Sequence, residues 1–389
     1  MQKFTFHIVG LPHTSIKKQF LSCAYTMKVL NFCKMMKSLG HTVYLYAGGD
    51  STEAPCDEFI SCISQAEQDK YFGETDTSKD FYPIEWNETL PYWVTMNTNA
   101  IAGIKQRGQP KDFVCLIGGS CQAPIVTGLP EYLCMEFGVG YKGIYAPFRV
   151  FESYAWMHHV YGLQKIENGQ SYDCVIPNYF DPEDFPYDIS NPPKKEDYFL
   201  YIGRMITRKG AHIAVEACGM SGANLKMAGQ GFIAVDKEKG IYKSREFEVL
   251  GKHIEYLGTV GVKERFDLMS KAKAVFVLTQ YIGPFEGVQA EANLCGTPVI
   301  TTDWGCFTEN VIDGLNGYRT RTMAEITWAM NNVDTLDRQK IRNFAIKNWS
   351  MNRVKWQYQA FFEQLATLWD KGWYNKHYDP QFKRYHKFI

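Results

Sequence analysis

Short apolar segments, each closed by a glycine-containing turn and followed by a helical stretch, recur along this chain, and no other feature limits its fold as tightly. The first is Phe4-Thr-Phe-His-Ile-Val9, with a loop at Gly10-Leu-Pro-His-Thr14 behind it. Tyr25 to Leu39 then places Met27, Leu30, Phe32, Cys33, Met36 and Leu39 at helical spacing, and Gly40 stands where a helix would end. Thr42-Val-Tyr-Leu-Tyr46 completes a βαβ unit. Asp112-Phe-Val-Cys-Leu-Ile117, which runs into Gly118-Gly-Ser120, and Leu133 to Val139 read as two further buried strands. Strands apolar on both faces belong to a parallel sheet covered by helices on each side. Between these segments, Gly48 to Glu85 is polar and acidic and reads as a surface excursion.

A second series starts beyond the Pro-rich, charged stretch Asp188-Ile-Ser-Asn-Pro-Pro-Lys-Lys-Glu-Asp197. Strands are expected at Tyr198 to Ile202, Asn224 to Ala228, Ile254 to Leu257, Ala274 to Leu278 and Thr297 to Thr301, with helical stretches between them. Past Asp337 the pattern is helical, through Arg338 to Asn348 and Asn352 to Trp369, the latter with a stripe of Trp356, Ala360, Phe361, Leu365 and Leu368. The tail from Lys371 is basic and aromatic and reads as a solvated or docked end. A chain of 389 residues that is 45% hydrophobic exceeds the size of one growing core. We therefore expect a first domain at 1–190, a second at 191–350, a C-terminal helix and tail at 351–389, and a cleft between the domains.

Composition excludes some partners. Lys plus Arg and Asp plus Glu both total 42, so no global field gathers nucleic acid or an anionic bilayer, and membrane contact is at most peripheral. The eleven cysteines are scattered from Cys23 to Cys306 without a C-x-x-C pair, as reduced, packed thiols would be. Phe4 to Leu11 is an apolar run of eight closed by Pro12, too short for a membrane span and without a signal-peptide cleavage pattern. The expected location is cytoplasmic.

Four segments carry chemistry, all at expected C-terminal strand ends of the second series, the edge where open α/β sheets bind ligands. Gly203-Arg-Met-Ile-Thr-Arg-Lys-Gly210 precedes a helix, so backbone amides, a helix N-terminus and the cations Arg204 and Lys209 suit a diphosphate. Gly283-Pro-Phe-Glu-Gly-Val-Gln-Ala-Glu-Ala-Asn-Leu-Cys-Gly296 is a loop opening a helix that carries Glu291 in its first turns. Ala228-Gly-Gln-Gly231 is the third, and Thr301-Thr-Asp-Trp-Gly305 with Glu309 the fourth. Taken singly, each reads equally as a turn or a helix-surface charge.

Their order resembles the C-terminal half of glycosyltransferase family 4, over roughly Tyr198 to Thr320. The N-terminal half is similar to bacterial-type members in Gly10-Leu-Pro-His-Thr14, Glu136-Phe-Gly-Val-Gly-Tyr141, Phe151-Glu-Ser-Tyr-Ala-Trp156 and Val175-Ile-Pro-Asn-Tyr-Phe180. The resemblance implies the GT-B fold, two Rossmann-like parallel-sheet domains facing a cleft with the last helix crossing back, and sugar transfer from a nucleotide diphosphate donor, UDP by default, with retention. By it, Arg204 and Lys209 hold the diphosphate and Glu291 the ribose. The amides of Phe285, Glu286, Gly287 and Val288 meet phosphate and sugar, Gly258, Thr259 and Val260 the base, and Gly10 lies against the donor. The co-substrate is the nucleotide sugar; no metal or other cofactor is required. The acceptor would be a hydroxyl of a glycan, lipid or glycoprotein, with His13, Glu136, Tyr141 and His158 as its candidate contacts.

One departure concerns catalysis. Family members carry a Glu eight residues before the one matching Glu291, and 291 minus 8 is 283, a glycine here, while Glu286 stands where the family has Gly. Either Glu286 supplies the carboxylate, with Arg204 and Lys209 as its catalytic companions, or the transferred sugar lacks the usual partner hydroxyl. A catalytically impaired sugar-nucleotide or glycan-binding module is the rival reading.

Overall fold

The computed structural model describes residues 1–18, 23–73, 84–169, 172–188 and 191–371, with the backbone alone for 368–371. Glu74, Asp76 and Asp80 of the acidic stretch, the Leu368 side chain and the basic tail lie outside the described residues. The chain forms two units. One comprises Met1–Glu152, Val160–Tyr179 and the helix that starts at Met351; the other comprises Ser153–His159 and Phe180–Ser350.

The first unit holds a seven-stranded parallel sheet: β1 (Thr5–Val9), β2 (Thr42–Gly48), β3 (Glu58–Ile63), β4 (Phe113–Leu116), β5 (Leu133–Val139), β6 (Phe148–Phe151) and β7 (Cys174–Val175), in the order β3-β2-β1-β4-β5-β6-β7. Every residue of β5 is buried, as a strand covered on both faces requires. The core is aromatic. Phe32 stacks on Phe137 at 4.3 Å, and Phe362 lies 4.6 Å from Phe6 and 4.7 Å from Phe113. Phe362 comes from the C-terminal helix Met351–Lys371, which buries Val354, Tyr358, Phe361, Phe362 and Leu365 in this unit. The expected stripe was wrong at one edge: Trp356 is 39% exposed, and the buried face runs through Val354 and Tyr358 instead.

The second unit contains β8 (Phe199–Ile202), β9 (Leu225–Ala228), β10 (Phe232–Asp236), β11 (Ile241–Ser244), β12 (Glu248–Leu250), β13 (Ile254–Gly258), β14 (Val275–Val277), β15 (Val299–Thr302) and β16 (Gly317–Thr320). Six form a parallel sheet in the order β13-β9-β8-β14-β15-β16, while β10, β11 and β12 make an antiparallel meander. The expectation of a helical stretch between β9 and β13 therefore fails. Phe232 to Ser244 lacks a helical stripe, and Gly240 supplies the positive φ, +68°, of a tight reversal.

The division between units falls after Tyr179, short of the Pro-rich stretch. Phe180 packs 6.2 Å from Phe285, and Phe185 is buried in the second unit's core, so the chain has joined that unit before Pro192. Ser153–His159 also joins it: the Ser153 hydroxyl donates to the Pro284 carbonyl at 2.7 Å, and Glu309 accepts from the Tyr154 and Ala155 amides at 3.1 and 2.8 Å. Glu309, flagged in the fourth motif, thus caps a helix start. All eleven cysteines are free thiols, eight of them buried. Among the described residues no helix is long and apolar enough to cross a membrane.

Candidate functional site

The six-stranded sheet reverses its strand order at one place. From β8 the chain winds outward through β9 to β13, then returns and winds the other way through β14, β15 and β16. Loops leaving β8 and β14 diverge there, and the crevice between them is where open α/β sheets bind ligands. Topology thereby brings the first two motifs together.

The loop after β8 makes a single tight turn at Thr207–Lys209 and enters the helix Ala211–Ser221 through Gly210, φ +72°. A Cβ at Gly210 would run into the Leu278 carbonyl, so the close approach of the two loops depends on glycine here. The Gln280 amide donates to the Arg208 carbonyl at 2.8 Å and ties the loops together. Lys209 Nζ lies 2.6 Å from Glu286 Oε2 and 5.0 Å from the centre of the Tyr281 ring, over which Arg208 also sits at 4.9 Å. Burial works against the Lys209 charge, yet the Glu286 carboxylate and Tyr281 together outweigh it and raise the ammonium above its ordinary pKa. Arg204, by contrast, exposes its side chain.

Glu286 is the residue on which the departure turns. Its backbone is left-handed, φ +61° and ψ 72°, a conformation non-glycine residues rarely adopt, and it precedes the helix Gly287–Leu294. Its side chain is only 6% exposed and occupies the room that Gly283 leaves empty: a Cβ at 283 would lie 2.9 Å from Glu286 Cγ and closer still to Oε1. The Glu286 side chain and the absence of one at 283 are thus two halves of one packing arrangement. In the next turn Gln289 is fully buried, and neither atom of its amide has a partner. Such a group costs free energy unless a ligand or water satisfies it.

Glu291, the expected ribose contact, is held by Arg265, whose Nη1 lies 3.0 and 2.9 Å from its two oxygens. That carboxylate raises the Arg265 pKa. Phe285 is buried against Trp349, 5.9 Å between rings, and its carbonyl accepts from Asn310. Gly287 and Val288 open the helix. At the other side of the sheet Gly258 ends β13 with φ +74°, followed by exposed Thr259 and half-buried Val260.

Three residues escaped the sequence reading. Arg265 sits mid-helix, and only Glu291 across the fold gives it meaning. Tyr281 forms the floor beneath Lys209. Glu246, in the turn between β11 and β12, accepts from the Thr207 amide at 2.7 Å; that bond lowers its pKa, with Arg208 and Arg204 adding to the effect. The meander thereby reaches the loop after β8.

In the first unit the candidate residues are mostly enclosed. Gly10 donates to Tyr46 at 2.8 Å and accepts from Gln122 at 2.9 Å. His13 is buried between Phe72 and Trp86, and burial lowers its pKa to about 3, leaving it neutral. Glu136 accepts from the Tyr141 hydroxyl and from the Tyr145 and Ala146 amides at 2.8–2.9 Å; its burial dominates and pushes its pKa up to about 7. His158 is exposed, in the segment counted with the second unit and not the first as expected. Among the described residues no three His, Cys, Asp or Glu side chains group so as to hold a metal ion.

Residues 186–343, within the second unit, match the family described as Glycosyl transferases group 1. The chain is 31% identical over 148 residues to glycogen synthase of Mycobacterium tuberculosis, a stretch covering 37% of this chain and 34% of that one. It is 31% identical over 121 residues to an uncharacterised glycosyltransferase of Methanocaldococcus jannaschii, covering 31% and 33%. The match thus spans about a third of the length of these curated relatives. The fold is GT-B. A glycosyltransferase involved in avilamycin A biosynthesis superposes with a TM-score of 0.61 at 20% identity, covering 93% of this chain and 98% of that one. HepE of Anabaena, solved with UDP-glucose, gives 0.60 at 15%, covering 94% and 100%.

Proposed function

We propose that this protein is a retaining glycosyltransferase that takes a sugar from a nucleotide diphosphate, UDP by default, bound at the β8 and β14 strand ends, and passes it to a hydroxyl of a glycan, lipid or glycoprotein. The observation that carries the reading is the pairing of Lys209 with a Glu286 that fills the space vacated at Gly283. The group 1 match spans both loops, and the fold neighbour HepE was solved with UDP-glucose.

In this reading Arg204 and Lys209 meet the diphosphate together with the amides that open Gly287–Leu294. Arg265 fixes the Glu291 carboxylate for the ribose diol, and Glu286 receives a hydroxyl of the transferred sugar. As the bond from the anomeric carbon to the phosphate oxygen breaks, negative charge grows on the leaving diphosphate. Arg204 and Lys209 stabilise it, so the charge balance requires no divalent metal. The acceptor oxygen bonds to the anomeric carbon on the same face, and its proton passes to the departing phosphate oxygen. Positioning and electrostatics then supply most of the rate.

Binding and hydrolysis of UDP-, GDP-, ADP- and TDP-sugars test this on the wild type, Arg204→Ala, Lys209→Ala and Glu286→Ala. One nucleotide sugar should bind and turn over, and lose both with either cation removed. The double variant Gly283→Glu with Glu286→Gly should retain turnover, whereas Gly283→Glu alone should lose it through overlap with Glu286. If no nucleotide sugar turns over but one binds, the departure at Gly283 marks a binding module; if none binds, the donor reading falls.

A further inference from the structure

The function proposed above leaves one motif unused, Thr301-Thr-Asp-Trp-Gly305, and a cavity of about 620 Å3 opens beside it within the second unit. Its size falls within the range of about 300–1,000 Å3 common to small-molecule sites. Leu278 and Ile326 form part of an apolar wall, Trp304 contributes an indole that is 45% exposed, and Gln280 and Arg321 stand on the rim.

Charge narrows the occupant. Asp303, the only acidic side chain among the described residues lining the cavity, is held by Arg321 at 2.9 Å and Arg319 at 3.3 Å, so it offers no unbalanced charge for a cation. What remains is an apolar wall, an aromatic face and amide, guanidinium and hydroxyl groups around them. That combination matches a neutral saccharide, whose C–H face packs on an indole while its hydroxyls take the rim. The rim also begins where the diphosphate loop ends, since the Gln280 amide donates to the Arg208 carbonyl.

We infer that the cavity under Trp304 is a saccharide-binding subsite. The ring has two possible sources, the sugar of the donor or a separate glycan, and only the first rests on the donor reading above. Calorimetric titration of wild type, Trp304→Ala and Trp304→Phe separates them, using UDP, UDP-glucose, and oligosaccharides of glucose, galactose, mannose and N-acetylglucosamine. A donor source predicts that Trp304→Ala weakens UDP-glucose about tenfold, as loss of one stacking contact of roughly 1.4 kcal/mol would, while UDP alone is unchanged. A separate glycan predicts the same loss for one oligosaccharide, with UDP-glucose untouched. In both cases Trp304→Phe should recover most of the affinity, which a merely structural role of the indole would not specify. The inference is overturned if every ligand binds Trp304→Ala as it binds wild type, or if no saccharide and no nucleotide sugar binds the wild type. Should UDP alone fail to bind, the donor reading falls while the oligosaccharide arm still decides the subsite.

Discussion

At the carboxyl edge of the first unit's sheet, Lys28 and Glu152 meet at 2.7 Å with side chains 7% and 4% exposed, and Lys28 also donates to the Gly138 carbonyl. At the equivalent edge of the second unit's sheet, Lys209 meets Glu286 at 2.6 Å with its own side chain 20% exposed, and Arg204 beyond it faces solvent. The two sheets share a parallel architecture and a Lys–Glu pair at their strand ends. The first pair is closed in, and its lysine also bonds the β5 backbone at Gly138; the second lies at a topological switch point, on a left-handed residue, beside a buried amide without partners. Sealed ion pairs hold structure, whereas half-open ones can exchange one partner for a ligand.

Removing each lysine in turn is the severest way to break this contrast. Lys28→Ala leaves the Glu152 charge buried and should cost about 3–5 kcal/mol of stability, read by urea unfolding of the first unit. Lys209→Ala should leave that unfolding curve in place but cut turnover by about 10²–10³, the usual size of a lost transition-state donor, read with the donor found in the panel. If Lys209→Ala proves as destabilising as Lys28→Ala, both pairs are structural and the contrast collapses.

The closed character of the first edge can be sharpened through Glu136. Its carboxyl titrates at about 7 in the fold against an ordinary value of 4.5, so the folded state prefers it protonated. That preference stabilises fully below pH 4.5 and is lost as pH rises to 7. That preference is worth about 3 kcal/mol. Wild type should therefore lose about this much stability between those pH values relative to Glu136→Gln, in urea titrations at each pH. Equal pH dependence of the two proteins would place Glu136 in contact with water.

The smallest effect is expected at Glu246. Glu246→Ala frees the Thr207 amide and should raise the donor KM a few-fold with little change in kcat, and Glu246→Gln, which keeps an acceptor oxygen, should restore it. A fall in kcat without a change in KM would mean that the meander touches the chemistry instead of the loop.

Much of this architecture is legible in the order of the residues. Strands such as Phe113–Leu116, apolar along their whole length, and the helix after Tyr25, with its stripe closed by Gly40, announce themselves through periodicity and punctuation, both local properties. The edge strand Glu58–Ile63 and the meander from Phe232 to Leu250 do not, because half-exposed strands dilute the apolar signal with polar residues. The candidate site divides in the same way. Arg204, Lys209 and Glu291 stand out as charges beside glycine turns, while Arg265, Tyr281 and Glu246 lie in segments with no local mark.

By itself the sequence determined two βα series and the strand ends at which charge collects, since these follow from spacing along the chain, while the GT-B class was implied by the resemblance of its motifs to a known family. It also exposed the exchange of Gly and Glu between 283 and 286 without saying whether the two were related. Tertiary structure alone decided that one side chain fills the space of the other, that Arg265 holds Glu291, and that Glu136 is sealed from solvent. Those outcomes depend on distances between residues far apart in sequence, and burial and partner together, not residue type, fix what a charged group can do.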